Sequence, residues 1–177
     1  MFDERRPYRD YPKVPIKRRA GAFLIDLLVV WFLSAIVGNG FLQFLLFMGF
    51  WWVLRVVVTD KNQGQSLGNW CLDIKVIDLR YARVPDLLTL SKREGIAGFA
   101  AYLATCGLSL IFNNAISTVI LILPLLANFL VAVGDNEYSQ AFHERVTETI
   151  SIPCDRGFSL DLRLLDLLDE IKDKMRQ

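Results

Sequence analysis

Two long uncharged stretches constrain this chain more than any other feature of its sequence. Residues 95–134 contain no charged side chain over forty positions, and residues 27–54 contain none over twenty-eight. A helix needs about 20 apolar residues to cross the hydrocarbon core of a bilayer. The first stretch is therefore long enough for two crossings, and residues 21–59 are long enough for two more. A single segment could be a soluble core helix, but forty uncharged residues in succession favour a membrane protein.

The positions of the lysines and arginines support a membrane protein with a defined orientation. Arg55 lies about one helical turn inside the end of residues 21–59, where we expect its head group to reach water by snorkelling. The other lysines and arginines lie outside both stretches, and the expected turns at residues 38–40 and 113–114 contain none. Short loops rich in Lys and Arg stay in the cytoplasm. We therefore predict four crossings with both termini cytoplasmic, and no nucleic-acid partner.

These patterns predict an all-α membrane protein whose four transmembrane helices form two antiparallel hairpins. The expected spans are residues 20–37, 41–59, 95–112 and 115–134. A cytoplasmic loop of residues 60–94 connects the hairpins. We divide the chain into an N-terminal cytoplasmic tail (1–16), a membrane domain (17–152) and a C-terminal segment (153–177).

Two short segments outside the apolar stretches have the period of a β-strand. Residues 72–78 alternate between apolar and polar side chains, and residues 147–152 do the same with Ile150 and Ile152 on the apolar face. A lone exposed strand is prone to unwanted pairing. We therefore predict that the two segments form a small two-stranded element on the cytoplasmic side.

Residues 159–177 have the pattern of an amphipathic helix that follows the membrane domain. Acidic side chains are frequent early and basic ones late, as the helix dipole prefers. The apolar side chains of this helix form one stripe, which either covers the protein's own sheet or binds a partner protein. The residues of the stripe are the candidate partner-binding residues. They are Leu160, Leu164, Leu167, Leu168, Ile171 and Met175.

Asp26 is the most informative single residue because it lies seven positions beyond Arg19, about 10 Å deeper in the first span. A carboxylate near the middle of a span costs about 2.5–3.5 kcal/mol, so it should face the interior and have a partner or a proton. Arg19 shares its face but is too distant for an easy ion pair. Asp26 therefore either fixes helix packing or handles protons or cations. The polar partners considered for packing are Gln43, Asn128, Arg19, Arg93 and His143.

The sequence contains no catalytic, cofactor-binding or metal-binding motif. Its single histidine, His143, is followed by Glu144, but the second histidine of a His-Glu-x-x-His zinc motif is missing. Residues 64–68 lack the lysine and the spacing of a phosphate loop. The three cysteines are odd in number and widely spaced, which predicts free thiols. We expect a protein that is not an enzyme and holds no metal or cofactor.

Several of these segments together resemble the RDD family of small bacterial membrane proteins, over roughly residues 16–152. The family is named for an arginine and two aspartates. Arg19 and Asp26 match the first two, and Glu144 stands where the second aspartate is usual. The lysine that usually follows the Gly-Gln-Thr/Ser-Leu-Gly turn is Asn69 here. The matching motifs are Arg19-x-x-Ala22-x-x-Ile25-Asp26, Gly64-Gln65-Ser66-Leu67-Gly68 before residues 72–78, Arg93, and Gln140-Ala141-Phe142-His143-Glu144-Arg145 with Thr149.

The resemblance implies a membrane protein whose biochemical role is mostly unassigned in the family, with some members linked to sodium or proton exchange. The Tyr11-Pro12-x-Val14-Pro15 segment and the leucine-rich tail are similar to members from oxygenic photosynthetic bacteria, which implies a plasma or thylakoid membrane. The resemblance and the buried charge together give one set of candidate functional polar residues. They are Arg19, Asp26, Arg93, His143 and Glu144.

Two classes of function follow. The first is an accessory or assembly subunit that docks against a larger, photosynthetic membrane complex; the apolar tail helix and the small residues Ala97, Ala101 and Ala104 favour it. The second is a small oligomeric cation or proton exchanger that uses Asp26. Four spans with one buried acid form a thin pathway, so we favour the first. The expected partners are membrane lipid and the larger complex, and a homo-oligomer is compatible with both functions.

Overall fold

The computed structural model describes residues 11–38, 40–135 and 139–154, and this part of the chain is mostly helical. Helix α2 continues without a break through a π-helical segment into α3. The helices are α1 (Ile16–Ala35), α2 (Phe41–Trp52), the π-helical segment (Val53–Val57), α3 (Val58–Lys61), α4 (Leu67–Cys71), α5 (Leu87–Ser109), α6 (Ala115–Gly134) and α7 (Phe142–Val146). The strands are β1 (Ile74–Asp78) and β2 (Thr149–Pro153).

Two helical segments in the described part of the chain are long and apolar enough to cross a membrane: Phe41–Lys61 and Ala115–Gly134. Only 22% and 17% of their most apolar windows are buried, whereas the core helix of a soluble protein would be mostly buried. Helices α1 and α5 are of similar length but are less hydrophobic on average. The two apolar helices, with their exposed surfaces, indicate a membrane protein.

The long helices overlap the four predicted spans, and the largest difference in their boundaries is at the start of α5. Helix α6 begins and ends at the predicted residues, while α5 starts at Leu87, eight residues before the predicted span. The helix begins directly after Pro85-Asp86; Asp86 is its N-cap, and Pro85 disfavours helical backbone at Val84. Arg93 and Glu94 therefore belong to a helix rather than to a connecting loop.

The core of the bundle is aromatic on one side and lined by small residues on the other. The rings of Phe47 and Trp51 stack with centroids 5.8 Å apart, and Phe23 packs edge-on against Trp51. Helix α5 presents the small residues of its predicted stripe to this cluster, and Ala97 and Ala101 are fully buried in it. A Cβ atom at Gly98 would lie 2.5 Å from Trp51. The small residues thus permit the close helix contact that the sequence predicts.

Strands β1 and β2 form an antiparallel two-stranded sheet, which confirms the predicted pairing. Ile77 lies opposite Ile150, and both pack with Ile152 in a small apolar cluster. Ile74 at the start of β1 packs with Ala22 of α1. The sheet is therefore fixed against one end of the bundle. The predicted C-terminal helix, with Leu160, Leu164, Leu167, Leu168, Ile171 and Met175, lies outside the described residues.

Candidate functional site

Asp26 lies on the inward face of α1 and is completely buried. Its carboxylate accepts three hydrogen bonds: from Arg55 Nη1 at 2.7 Å, from Ser66 Oγ at 2.6 Å and from the Gly68 backbone N–H at 2.7 Å. A buried carboxylate is costly unless it is paired and hydrogen-bonded. These three donors together provide that compensation.

The turn over residues 64–68 brings two of the donors to Asp26. Ser66 is the N-cap of α4, and its hydroxyl donates to the carboxylate. Gly68 follows in the first turn of α4 and lies against α1, where a Cβ atom would be 1.9 Å from the carbonyl oxygen of Ala22. Only glycine therefore permits this approach. The glycine-rich turn, which lacks the features of a phosphate loop, binds a carboxylate of its own chain.

Arg55 joins Asp26 to helix α5. It lies in the π-helical segment Val53–Val57, and its Nε and Nη2 donate to the two carboxylate oxygens of Glu94 at 2.5 and 3.3 Å. A bidentate pair of this kind fixes the orientation of both side chains. A π turn contains one extra residue and shifts the register of the side chains around it; such turns often occur at functional sites.

The snorkelling expected for Arg55 is wrong. The residue is only 4% exposed, and its guanidinium lies 5.3 Å from the ring centroid of Phe23 and 5.1 Å from that of Trp51. The cation contacts two buried carboxylates and two aromatic faces, which compensate for its removal from water. The side chain therefore points into the bundle.

Glu144 of α7 connects the other two arginines. Arg93 Nη2 donates to Glu144 Oε1 at 3.0 Å, and Arg19 forms an ion pair with Glu144 Oε2. Arg93 also pairs with its neighbour Glu94. Ser151 of β2 donates to Glu144 Oε1 at 2.7 Å, which ties the sheet to the same carboxylate.

These contacts join six charged side chains into one series in which positive and negative groups alternate. Three arginines and three acids give it no net charge, and each residue is at most 8% exposed. The series begins and ends on α1 and passes through the π-helical segment, α5 and α7. We call it the charge network. Its members, in order, are Asp26, Arg55, Glu94, Arg93, Glu144 and Arg19.

His143 lies beside the network and is held by Asn128 of α6. Asn128 Oδ1 accepts from the His143 backbone N–H at 3.1 Å and lies 2.9 Å from its Nδ1. Burial, together with the nearby Arg93 guanidinium, lowers the pKa of His143 to about 3. Burial by itself would raise the pKa of Glu144, but the guanidinium groups of Arg19 and Arg93 hold it well below its usual range. At neutral pH, His143 is therefore neutral and Glu144 is ionised.

The network encloses little free space. A cavity of about 20 Å³ lies among Arg19, Arg55, Arg93 and Glu144, which is room for about one water molecule. Arg93 Nε is buried without a hydrogen-bond partner in the described part of the chain. The site can hold a water molecule, but it has no room for a substrate or a hydrated ion.

The described residues contain no metal-binding arrangement. Across residues 11–38, 40–135 and 139–154, no three His, Cys, Asp or Glu side chains are grouped as metal ligands. Cys71, Cys106 and Cys154 are free thiols, as their spacing predicts.

The five candidate polar residues from the sequence come together in and around the network. Four of them, Arg19, Asp26, Arg93 and Glu144, are members, and His143 is adjacent. The expected partners of Asp26 are wrong, since its carboxylate is occupied by Arg55, Ser66 and Gly68. The rejected partners are Gln43, Asn128, Arg19, Arg93 and His143.

Sequence reasoning missed Arg55 and Glu94 as site residues. Both had a usable signal: Arg55 is a charge within an apolar stretch, and Glu94 directly precedes forty uncharged positions. An ionic group kept so close to hydrocarbon should have an opposite charge as its partner. A search for opposite charges at the edges of the two apolar stretches would have suggested that Arg55 pairs with Glu94.

Comparison with known proteins gives one match. The sequence model of the RDD family matches residues 13–148, which include every member of the charge network. No curated protein and no solved structure matches the chain.

Proposed function

This chain belongs to the RDD family, and we propose that it is an integral membrane accessory or assembly subunit that docks against a larger membrane protein complex. We place four helical spans across the bilayer: α1, the segment Phe41–Lys61, α5 and α6. Both termini and the β1–β2 sheet then face the cytoplasm, in a bacterial plasma membrane or a thylakoid membrane. A photosynthetic complex is the partner that the resemblance to photosynthetic members favours.

The outer surface of the helices supports the membrane placement. Large apolar side chains on α6 point away from the bundle and are more than half exposed, and similar side chains occur on α1 and α5. Apolar surface of this extent is typical of contact with lipid or with another protein. On α6 the exposed residues are Ile116, Val119, Ile120, Leu123, Leu126, Leu130 and Val133.

One observation carries the proposed role: the ionic groups of the charge network are paired with one another. A buried network in which every ionic group has an opposite charge as its partner fixes one arrangement of the elements that contribute to it. The polar interior then serves to hold α1, α5, α7 and the sheet together. The surface that remains for function is the apolar exterior, which suits docking rather than transport.

Cation or proton exchange through Asp26 is the alternative, and a buried acid within a span is the observation that favours it. An exchanging proton or cation would have to displace Arg55, which donates to Asp26 at 2.7 Å. The cavity of about 20 Å³ beside the network leaves no room for a hydrated cation. These two features support the docking role over exchange.

Reconstituted vesicles separate the two functions. Under our proposal, vesicles with the wild-type protein dissipate a pH gradient on sodium or potassium addition no faster than protein-free vesicles do. If the protein is an exchanger, sodium or potassium should dissipate the pH gradient faster than in protein-free vesicles. Asp26→Asn should abolish this additional rate, whereas Arg80→Gln, a change at an exposed residue, should leave it intact. A rate with that dependence on Asp26 would overturn the docking role.

Native purification tests docking directly. The protein is extracted from its own membrane in a mild detergent, and the particle is weighed by native mass spectrometry. We expect a mass that exceeds this chain by at least one other membrane subunit. Recovery of this chain alone, or only as a homo-oligomer, would remove the proposed role.

Cysteine labelling tests the topology independently. In a chain whose three cysteines are replaced by serine, Lys75→Cys reports on the sheet and Asn113→Cys on the turn between α5 and α6. A membrane-impermeant maleimide should reach the first only from the cytoplasmic side and the second only from the opposite side. Labelling of both from one side would exclude the four-span arrangement.

A further inference from the structure

Helix α4 lies beside the first span rather than beyond its end. The backbone N–H of Gly68 donates to Asp26 Oδ1 at 2.7 Å, and a Cβ atom at Gly68 would lie 1.9 Å from the carbonyl oxygen of Ala22. Ala22 and Asp26 lie roughly 3 and 9 Å below the cytoplasmic end of the predicted span at residue 20. The middle of α4 is therefore at the depth of the cytoplasmic leaflet, although the connecting loop that contains it was predicted to be cytoplasmic.

The outward face of α4 is apolar. Residues 62–72 contain no charged side chain, whereas charged residues are frequent in the rest of the loop. Leu67 and Trp70, three positions apart on one face, are 37% and 48% exposed, while Gly68 and Asn69 are buried against the bundle. Indole side chains favour the interface between a bilayer and water. The composition and the exposure of α4 therefore suit contact with lipid.

Helix α7 lies at a similar depth against another span. The backbone N–H of His143 donates to Asn128 Oδ1 at 3.1 Å, and Asn128 lies about 9 Å before the end of α6. Phe142 and Val146, four positions apart on one face of α7, are 49% and 57% exposed. Phe142 lines an apolar groove together with Phe99 of α5. The exposed face of α7 is therefore continuous with the outer surface of a span.

Arg145 lies where the cytoplasmic boundary of the bilayer is expected. It is the exposed charge of α7, and its Nη2 lies 3.5 Å from Oδ2 of Asp135, which directly follows the last residue of α6. The guanidinium is thus at the level at which the α6 span ends. Interfacial helices typically bury an apolar face about 5–10 Å into the boundary and keep basic groups at the head-group level. Helix α7 has this arrangement.

We infer that α4 and α7 are interfacial helices whose outward faces contact the lipid of the cytoplasmic leaflet. The lipid-facing residues are Leu67, Trp70, Phe142 and Val146. Lipid is favoured over a partner protein because α4 packs on α1 whereas α7 packs on α5 and α6, and lipid surrounds every span at this depth. Each helix also has a face in the charge network, since α4 provides Gly68 and α7 provides Glu144. The inference depends on the membrane placement proposed above but not on the docking role.

Nitroxide spin labels test the lipid contact in the absence of a partner. The full-length protein, with its three cysteines replaced by serine, carries one label at Trp70→Cys or Phe142→Cys and is placed in phosphatidylcholine nanodiscs. Power saturation then compares collisions of the label with oxygen, which concentrates in hydrocarbon, and with a polar nickel chelate, which hydrocarbon excludes. We expect the ratio of oxygen to nickel collisions at both positions to exceed the ratio at Tyr81→Cys severalfold.

Tyr81 is the matched control for Trp70 because it is an aromatic residue of the same connecting loop and is 57% exposed. It lies between the exposed Arg80 and Arg83, so its label should meet water. Labels at Leu67→Cys and Val146→Cys repeat the measurement on each helix, so that a label that disturbs one position does not decide the result. Leu123→Cys, at an exposed position in the middle of α6, gives the ratio for a span.

Each helix is judged by its own two labels. A ratio as low as that at Tyr81→Cys would place the helix in water and overturn the inference for it. Labels shielded from both oxygen and nickel would overturn it as well, because protein rather than lipid would then cover the face. A low ratio at Leu123→Cys would instead contradict the membrane placement itself, so the two failures can be distinguished.

Discussion

Arg19 and Asp26 lie two turns apart on one face of helix α1, do not bond to each other, and form the two ends of one series of alternating charges. The series leaves α1 from Asp26 through Arg55, crosses α5, and returns to Arg19 through Glu144. Each inner member touches two opposite charges. The loss of one member therefore leaves its neighbours buried and unpaired, and the stability of the bundle should be sensitive to each of them.

The central position of Arg55 makes it the most sensitive member of the network. Arg55→Met leaves the carboxylates of Asp26 and Glu94 without their shared cation, and we expect a loss of about 3–5 kcal/mol in the free energy of unfolding. Unfolding in detergent micelles by added dodecyl sulfate measures the change. Arg80→Met removes an ion pair with Glu148 that is more than half exposed, and it should have little effect. Equal losses in the two variants would contradict the network as the stabilising feature.

The contact between α4 and α1 depends on the absence of a side chain at Gly68. Gly68→Ala would place a Cβ atom 1.9 Å from the carbonyl oxygen of Ala22, and backbone cannot move aside as a flexible side chain can. We expect a loss of about 1–3 kcal/mol or more, because α4 must move away and withdraw the donor from Asp26. Gly49→Ala is the control, since a Cβ atom there meets nothing within 4 Å. Thermal unfolding in detergent compares the two, and an equally stable Gly68→Ala protein would disprove the tight contact.

The buried His143 predicts a loss of stability in mild acid. Burial lowers its pKa in the folded protein to about 3, against an ordinary value of 6.5. Between these values the unfolded chain binds a proton that the folded protein does not, so the free energy of unfolding falls as the pH falls from about 6.5 toward 3. Glu144, whose folded pKa is also lowered, adds a second loss below its ordinary value of 4.5.

Melting temperatures between pH 7 and pH 4.5 isolate the histidine contribution. His143→Gln removes the titrating group, and the dependence on pH in this range should become flatter than that of the wild-type protein. The decline below pH 4.5 should persist in the variant, because Glu144 is unchanged. An identical slope for both proteins above pH 4.5 would show that His143 is not buried in its neutral form.

The apolar stripe of residues 160–175 is predicted to bind the partner complex. Leu164→Asp combined with Leu168→Asp places two charges in the stripe, so the co-purifying subunits should be lost while membrane insertion is retained. Ser159→Asp combined with Gln177→Asp adds the same charge outside the stripe and should retain them. Native mass spectrometry of the two extracted proteins gives the comparison. Retention of the partner by the first variant would indicate that the stripe covers the protein itself.

Patterns of local sequence were sufficient for the long helices and the two strands, whereas the short helices α4 and α7 and the π turn were not predicted. The uncharged stretch of residues 95–134 predicted α6 to the residue, and alternation in residues 72–78 and 147–152 predicted the two strands and their pairing. The start of α5 was missed, because a polar turn of helix before an apolar span has no hydrophobic signal of its own. Arg55 was assigned to solvent for a related reason: its distance from the boundary gives its depth but not the direction of its side chain.

The sequence by itself determined the long helices, the two strands and the presence of a buried acid at Asp26, because hydropathy, charge and periodicity are read over a few consecutive residues. Only the tertiary structure decided which charges meet. Arg19 and Glu144 are 125 positions apart, and Asp26 and Arg55 are 29 apart, so no local pattern links them. Their pairing depends on how the helices pack. The π turn shifts the register of the side chains around Arg55, and the absence of a side chain at Gly68 permits the contact between α4 and α1.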